Sequence, residues 1–111
     1  MNNPKFTISK DSANEFRFLL RAINGEPILR SSEGYKTKQG CLVCITSVKE
    51  NSPIDDRYRR STSGVQYYFT LHARNGETLG ISEMYTTAQS RDNGINAVKR
   101  DAPNAPIEDL T

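Results

Sequence analysis

One short phrase occurs twice in this chain. Asn24-Gly25-Glu26 returns as Asn75-Gly76-Glu77, 51 positions later. Ahead of it, Phe16-Arg17-Phe18-Leu19-Leu20-Arg21-Ala22 aligns with Tyr67-Tyr68-Phe69-Thr70-Leu71-His72-Ala73 at the same offset. Beyond it, Ser32-Glu33-Gly34-Tyr35 aligns with Ser82-Glu83-Met84-Tyr85 at an offset of 50, which puts one extra residue of copy one between Glu26 and Ser32. The offset of 50 then holds for Gln39 and Gln89, Ile45 and Ile95, Val48-Lys49 and Val98-Lys99, and Pro53 and Pro103. A unit of roughly 50 residues is marginal as an independent core, so the two copies are expected to bury their apolar faces against each other.

Each copy has the same physical logic. Phe16, Phe18, Leu20 and Ala22 alternate with Arg17, Leu19 and Arg21, a period of two that puts an apolar stripe on one face of a sheet. Tyr67, Phe69, Leu71 and Ala73 repeat it. Asn-Gly supplies the positive φ angles of a tight hairpin turn. The third strand returns through Ile28-Leu29 and through Leu79-Gly80-Ile81, and an earlier strand holds Phe6 and Ile8, with its counterpart near Tyr58. Cys41, Cys44, Ile45 and Val48 fall at i, i+3, i+4 and i+7, one face of a helix, matched by Ala88, Arg91, Ile95 and Val98. Thr37 is the expected cap of the first helix; Thr86 and Gln89 have capping-box spacing for the second. The predicted fold is α+β: two tandem β-β-β-α repeats, an antiparallel sheet with two helices packed on it, and pseudo-twofold symmetry. Residues 1–111 are expected to form one domain, with repeat one at about 5–53, repeat two at about 57–103 and a short tail at 104–111. The tail carries Pro103 and Pro106 and reads as frayed. Its Pro106-Ile107-Glu108-Asp109 nevertheless echoes Pro53-Ile54-Asp55-Asp56, and docking of Ile107 and Leu110 on the core is the alternative.

Composition narrows the function classes. Hydrophobic residues are 35% and charged residues 25%, ordinary for a small globular domain. No apolar run approaches the roughly 18 residues of a membrane span. The opening Met1-Asn2-Asn3-Pro4-Lys5 is polar and lacks the apolar stretch of a signal peptide, so the protein reads as cytoplasmic and not membrane-associated. A net charge of +2 is weaker than that of dedicated nucleic-acid binders.

The paired Asn-Gly-Glu turns, the paired Ser-Glu-x-Tyr segments, and the stretches Cys41 to Lys49 and Ala88 to Lys99 resemble the YegP-like family of uncharacterised bacterial proteins. The phrase Tyr85-Thr86-Thr87-Ala88-Gln89-Ser90-Arg91 followed by Gly94-Ile95 is especially similar, and the resemblance spans roughly residues 6–103. Copy one departs from the pattern with Cys44 where copy two has Gly94. The resemblance implies helices packed on antiparallel sheet and implies no activity. It also implies that a single unit can work as a homodimer, which makes this chain a monomeric pseudo-dimer.

Four sets of residues could carry function. Cys41 and Cys44 form C-x-x-C, but a zinc site needs more ligands, and the only histidine is His72. A reactive cysteine uses a helix N-terminus to lower its pKa, whereas both cysteines lie on the apolar stripe with Ile45 and Val48; they read as core. His72 reads as a solvated residue of the outward strand face, without the partner a general base needs. Ser32, Glu33, Tyr35 and Ser82, Glu83, Tyr85 end a strand and lead into a helix, where ligand loops often lie; they are candidate ligand corners, although tyrosine packing at the corner and Ser and Glu satisfying backbone N–H groups explain them better. Finally, Arg17, Arg21, Tyr68, His72 and Arg74 share the outward strand face, with Arg57, Tyr58, Arg59 and Arg60 nearby. Aromatic rings and arginines on a sheet can stack bases and hold phosphates. No catalytic constellation, metal site or cofactor motif is present in this pattern. The function expected is a non-catalytic small domain that mediates protein interaction, with nucleic-acid binding through the strand face and small-ligand binding at the corners as alternatives.

Overall fold

The alternation in Phe16–Arg21 and Gln66–His72 makes two equivalent strands, and everything else is arranged around them. The computed structural model describes residues 3–111. In chain order the strands are β1 (Lys5–Lys10), β2 (Phe16–Arg21), β3 (Pro27–Ser31), β4 (Tyr58–Ser63), β5 (Gln66–His72), β6 (Thr78–Ile81) and β7 (Ile107–Asp109). Helix α1 (Lys38–Asn51) follows β3 and helix α2 (Ala88–Asp101) follows β6. The sheet order is β4-β5-β6-β3-β2-β1-β7. The two β-β-β-α units therefore meet along the antiparallel β3–β6 pair, where Arg30 lies opposite Ile81. Those two residues are 51 apart, so the pseudo-twofold axis passes between them.

One face of the sheet carries both helices and the core. Phe6, Ile8, Phe18, Leu20 and Leu29 from copy one, and Tyr58, Phe69, Leu71 and Leu79 from copy two, are buried in a single cluster with Ile45, Val48, Ile95 and Val98 of the helices. The symmetry extends to side-chain geometry. Phe6 meets Phe18 edge to face at 5.9 Å, and Tyr58 meets Phe69 the same way at 5.7 Å. The Lys49 ammonium lies 5.7 Å from the centre of the Phe6 ring and the Lys99 ammonium 5.7 Å from that of Tyr58, the same cation–ring placement in each copy.

The turn chemistry differs from the two-residue hairpin expected at Asn-Gly. Gly25 N–H donates to Ala22 C=O (2.9 Å) and Ala22 N–H to Glu26 C=O (2.8 Å), a three-residue loop repeated from Ala73 to Glu77. Only the glycine takes positive φ, 85° at Gly25 and 91° at Gly76. The asparagine instead accepts from the Glu26 or Glu77 N–H at 3.0 Å, the local bond that favours Asn before a turn glycine. A register shift follows in each hairpin: Leu20 pairs with Leu29 but Arg21 with Pro27, and Leu71 pairs with Gly80 but His72 with Thr78. Ile28 and Leu79 are the extra residues of these bulges, and both are buried.

Three further expectations need correction. The extra residue of copy one does not precede Ser32. Phe18 N–H donates to Ser31 Oγ (3.4 Å) as Phe69 N–H does to Ser82 Oγ (2.9 Å), so Ser31 is the counterpart of Ser82 and the insertion falls within residues 32–34. The second helix is capped by Thr87, whose Oγ1 accepts from Ser90 N–H at 3.0 Å, as Thr37 accepts from Gly40 N–H at 3.0 Å. Thr86 stands one residue outside. The tail is not frayed: β7 pairs in parallel with β1, Phe6 N–H donates to Pro106 C=O (2.8 Å), and Leu110 N–H donates to Ile8 C=O (2.9 Å). It docks through its backbone and the ion pairs Lys5–Glu108 (3.1 Å) and Lys38–Asp109 (2.6 Å), while Ile107 and Leu110 stay 41% and 60% exposed.

Candidate interaction face

The helices leave the other face of the sheet uncovered. With Phe18 and Leu20 turned to the core, alternation turns Arg17, Leu19 and Arg21 outward. In β5 it turns Tyr68, Thr70 and His72 outward. The register aligns Thr7, Leu19, Arg30, Ile81, Thr70 and Arg59 in one row across six strands. Leu19 and Ile81 are half-buried, and the exposed Arg30 stands between them in the middle of the face. A shallow depression of about 260 Å³ lies on this face, lined by Ser9, Arg17, Leu19 and Arg30.

The arginines are not equivalent. Arg17 is paired with Asp11 (2.6 Å), whose carboxyl is held below the usual carboxylate range first by that guanidinium and then by the Glu15 N–H. Arg21 donates to the Gly25 carbonyl at 3.0 Å. Among the described residues, no carboxylate pairs with Arg21, Arg30 or Arg59; Arg21 is committed to the turn carbonyl, which leaves Arg30 and Arg59 as the face arginines without a side-chain partner. Arg30 is absent from the strand face as read above because that reading gave the third strand no inward and outward sides. The inward Leu29 beside it, or its place 51 residues before Ile81, is the signal that finds it.

Two of the five residues grouped on that face are placed differently. Arg74 is in the hairpin turn between β5 and β6 and not on the strand, because the strand ends at His72. His72 is on the outward side but is only 7% exposed, not solvated. Its Nδ1 lies 3.2 Å from the Gly76 carbonyl and its Nε2 2.7 Å from Thr70 Oγ1. A carbonyl only accepts, so Nδ1 carries a proton and donates to it, while Nε2 lies within hydrogen-bond reach of the threonine hydroxyl. His72 thus does in copy two what Arg21 does in copy one, holding the glycine carbonyl of the Asn-Gly-Glu turn.

The Ser-Glu-x-Tyr corners stand at opposite ends of the antiparallel β3–β6 pair. Tyr35 and Tyr85 are half-buried and close the last backbone rungs, with Phe16 and Tyr67 respectively, at 2.7–2.8 Å. Ser82 Oγ donates to Glu83 C=O (2.8 Å) and Ser32 Oγ to Thr78 C=O of the other copy (2.9 Å). Both serines are thus engaged with backbone, while Glu33 and Glu83 are exposed. Cys41 and Cys44 are buried free thiols in the core cluster. Burial pushes the Cys41 thiol up to about 11, and burial raises Cys44 despite a hydrogen bond with Tyr35. Such thiols carry little thiolate, the form that attacks electrophiles or binds metal. Among the described residues, no group of three or more His, Cys, Asp or Glu is placed to hold a metal ion, and no helix is long and apolar enough to cross a membrane.

A duplicated α+β unit with one helix-covered and one open sheet face defines the class. The model of the family "Domain of unknown function (DUF1508)" matches residues 11–58 and again 63–109. The chain is 48% identical over 106 residues to the "UPF0339 protein in ptx operon 5'region" of Stutzerimonas stutzeri, covering 95% of each chain. It is 46% identical over 107 residues to "UPF0339 protein YegP" of Escherichia coli K12, covering 96% of each. The solution NMR structure of yegP from E. coli superposes with a TM-score of 0.92 at 43% identity, covering all of this chain and 96% of that one. The solution NMR structure of UPF0339 protein SO3888 from Shewanella oneidensis gives 0.91 at 41% identity, covering 98% and 92%. This chain belongs to the UPF0339/YegP family and carries two tandem DUF1508 units.

Proposed function

We propose that this protein is a non-catalytic interaction domain that docks a protein partner on the open face of its sheet. The observation that carries the reading is the row Leu19, Arg30, Ile81 and Arg59: two half-buried aliphatic side chains with Arg30 between them and Arg59 two strands beyond Ile81, neither arginine having a carboxylate partner among the described residues. Exposed aliphatic area interleaved with arginine, a residue enriched at interfaces, fits a transient protein interface. The fold does not need this face for its core, since the helices pack on the other side. The same arginines would attract phosphates, but Arg17 is neutralised by Asp11, His72 is enclosed, and Tyr68 is the one aromatic ring on the face. That favours a protein over a stacked single strand.

The test is one variant with several readouts. Leu19→Glu with Ile81→Glu should unfold at the denaturant midpoint of the wild type while losing a partner that wild-type bait retains at physiological salt. A bait with Glu50→Ala, on the far side of α1, should retain it. A partner held equally by the face variant would sink the proposal. So would single-stranded oligonucleotide binding that falls steeply with salt and is lost in Arg30→Ala.

A further inference from the structure

The two outer edges of the sheet are not equivalent, and the difference follows from the duplication. At one edge β7, the strand after α2, lies in parallel beside β1. The pseudo-twofold axis carries β1 onto β4: Phe6 pairs with Leu20 as Tyr58 pairs with Leu71, and the residues that follow keep step. Symmetry would therefore place the segment after α1 in parallel beside β4. That segment is Pro53-Ile54-Asp55-Asp56, the echo of Pro106-Ile107-Glu108-Asp109. It runs straight into β4, and a parallel neighbour needs a long crossover. It folds instead into a single 3-10 turn at Asp55–Arg57. Among the described residues, β7 covers the first edge and no strand lies beside the second.

The backbone of that second edge is defined by the ladder. Ser63 and Gln66 close a two-residue turn at Gly64-Val65, which makes them a hydrogen-bonded pair. Alternation then turns the N–H and C=O groups of Thr62, Arg60 and Tyr58 away from β5. Tyr58 bears this out, for its N–H is taken by Asp55 C=O of the 3-10 turn, as the Phe6 N–H is taken by Pro106 C=O. Arg60 and Thr62 have no strand beyond them. Both are exposed, as is Arg59 between Arg60 and Tyr58.

We propose that the free edge of β4 is a strand-addition site for an extended acidic segment of a partner protein. Main-chain hydrogen bonds would supply the attachment, and charge the selection, as in other cases of strand addition. The covered edge shows the chemistry of a suitable occupant: Ile-Glu-Asp-Leu, with its two carboxylates paired to Lys5 and Lys38. The free edge presents Arg59, which has no carboxylate partner among the described residues, between Arg57, which donates to Asn51 Oδ1 (2.9 Å), and Arg60, whose guanidinium is shared between Asp55 (3.2 Å) and Asp92 (3.3 Å). Antiparallel pairing of β4 with a second β4 centred on Arg60 would set that residue against itself, which disfavours a second copy in that register. This assignment deepens the interaction reading but uses the edge of the sheet and not its face.

The experiment titrates the full-length chain, isotope-labelled, with a synthetic peptide of residues 105–111, followed by amide shifts. The result expected is shifts centred on Arg60 and Thr62, with affinity lowered about tenfold or more by Thr62→Pro, which removes an outward N–H while leaving the β4–β5 ladder intact. Arg59→Glu, which leaves the backbone unchanged, should weaken binding as well. A peptide with lysine in place of both acidic residues should not bind. Leu19→Glu should bind like the wild type, which separates failure of the face from failure of the edge. No shift at about 1 mM peptide, a level that detects even weak complexes, overturns the proposal. So do shifts confined to β1, or equal binding by wild type, Thr62→Pro and Arg59→Glu. A dimer of the free chain that Thr62→Pro dissolves would assign the edge to a second copy and likewise overturn it.

Discussion

Leu29 occupies the space that its symmetry mate Gly80 leaves open. A Cβ at Gly80 would lie 2.8 Å from Leu29 Cγ and 3.0 Å from the Arg30 carbonyl oxygen. The shared core is symmetric in backbone and asymmetric in volume, one copy giving bulk where the other gives room. Gly80→Ala should therefore destabilise the chain by about 1–3 kcal/mol through overpacking at the seam. Leu29→Ala alone leaves a cavity and should cost about 2–5 kcal/mol. Together the two should cost less than their sum, because the clash and the cavity are in one place. Equilibrium denaturation of the four chains checks this; strict additivity would contradict it.

The Arg21 and His72 side chains perform one task with different chemistry, each holding the glycine carbonyl of its hairpin turn. His72→Ala removes that bond and leaves Thr70 and Gly76 unsatisfied beside a buried position, at a cost of about 1–3 kcal/mol. His72→Arg, which copies the first repeat, should cost clearly less. A thermal melt in which the arginine variant is the worse of the two would show that the shape of the imidazole, and not its donor, is what the site uses.

The cysteines should behave as core. Burial raises the folded-state pKa of Cys41 from the ordinary value of 9.0 to about 11, and raises Cys44 as well. A group whose folded pKa is raised stabilises fully below its unfolded value and loses that contribution as pH rises through the folded one. The thiol contribution to stability should therefore be level below pH 9.0 and decline toward about 11. Burial also raises Tyr35, Tyr58 and Tyr85, which acts in the same direction. At about pH 8 a disulfide reagent should label either thiol only as fast as the chain opens. Rapid labelling of a fully folded chain would contradict the core assignment.

The tail should detach in acid before the rest unfolds. The Lys38 ammonium beside Asp109, helped by Thr111, holds that carboxyl well below the usual carboxylate range. A lowered folded pKa contributes stability above the unfolded value and loses it as pH falls. Acidification below the usual carboxylate range should therefore weaken β7 pairing, seen as faster exchange of the Leu110 amide while amides of β2 and β5 remain protected. Lys38→Ala should weaken the pairing at neutral pH and flatten its pH dependence. Exchange at Leu110 that does not respond to either change would contradict the role of this ion pair.

Much of this architecture is legible in the residues. The alternation in Phe16–Arg21 and Gln66–His72, the helical stripe from Cys41 to Val48 and the repeated turns give the two units and their symmetry, because local periodicity and core burial act together there. What escaped depends on partners distant in sequence. Ile107 to Asp109 has neither length nor strict alternation, and becomes a strand only because β1 offers an edge beside it. His72 looks solvated by alternation alone, until the turn carbonyl and Thr70 close around it. Ser32 matches Ser82 by adjacent identity, Ser32-Glu33 against Ser82-Glu83, whereas the buried N–H of Phe18 is satisfied by Ser31. Alternation along β2 and β5 marks the outward residues of the open face, but its central pair, Arg30 and Ile81, comes together only because β3 and β6 are neighbours.

The central claim is that the two copies complete one core across the β3–β6 seam. Native-state hydrogen exchange in β2 and β5 tests it most directly, since Leu20 and Leu71 lie in equivalent strands of different copies. One shared core predicts that their amides exchange through the same global opening, with free energies within about 0.5 kcal/mol of each other, and fall by equal amounts in Gly80→Ala. Protection that survives in one copy while it is lost in the other would contradict the claim.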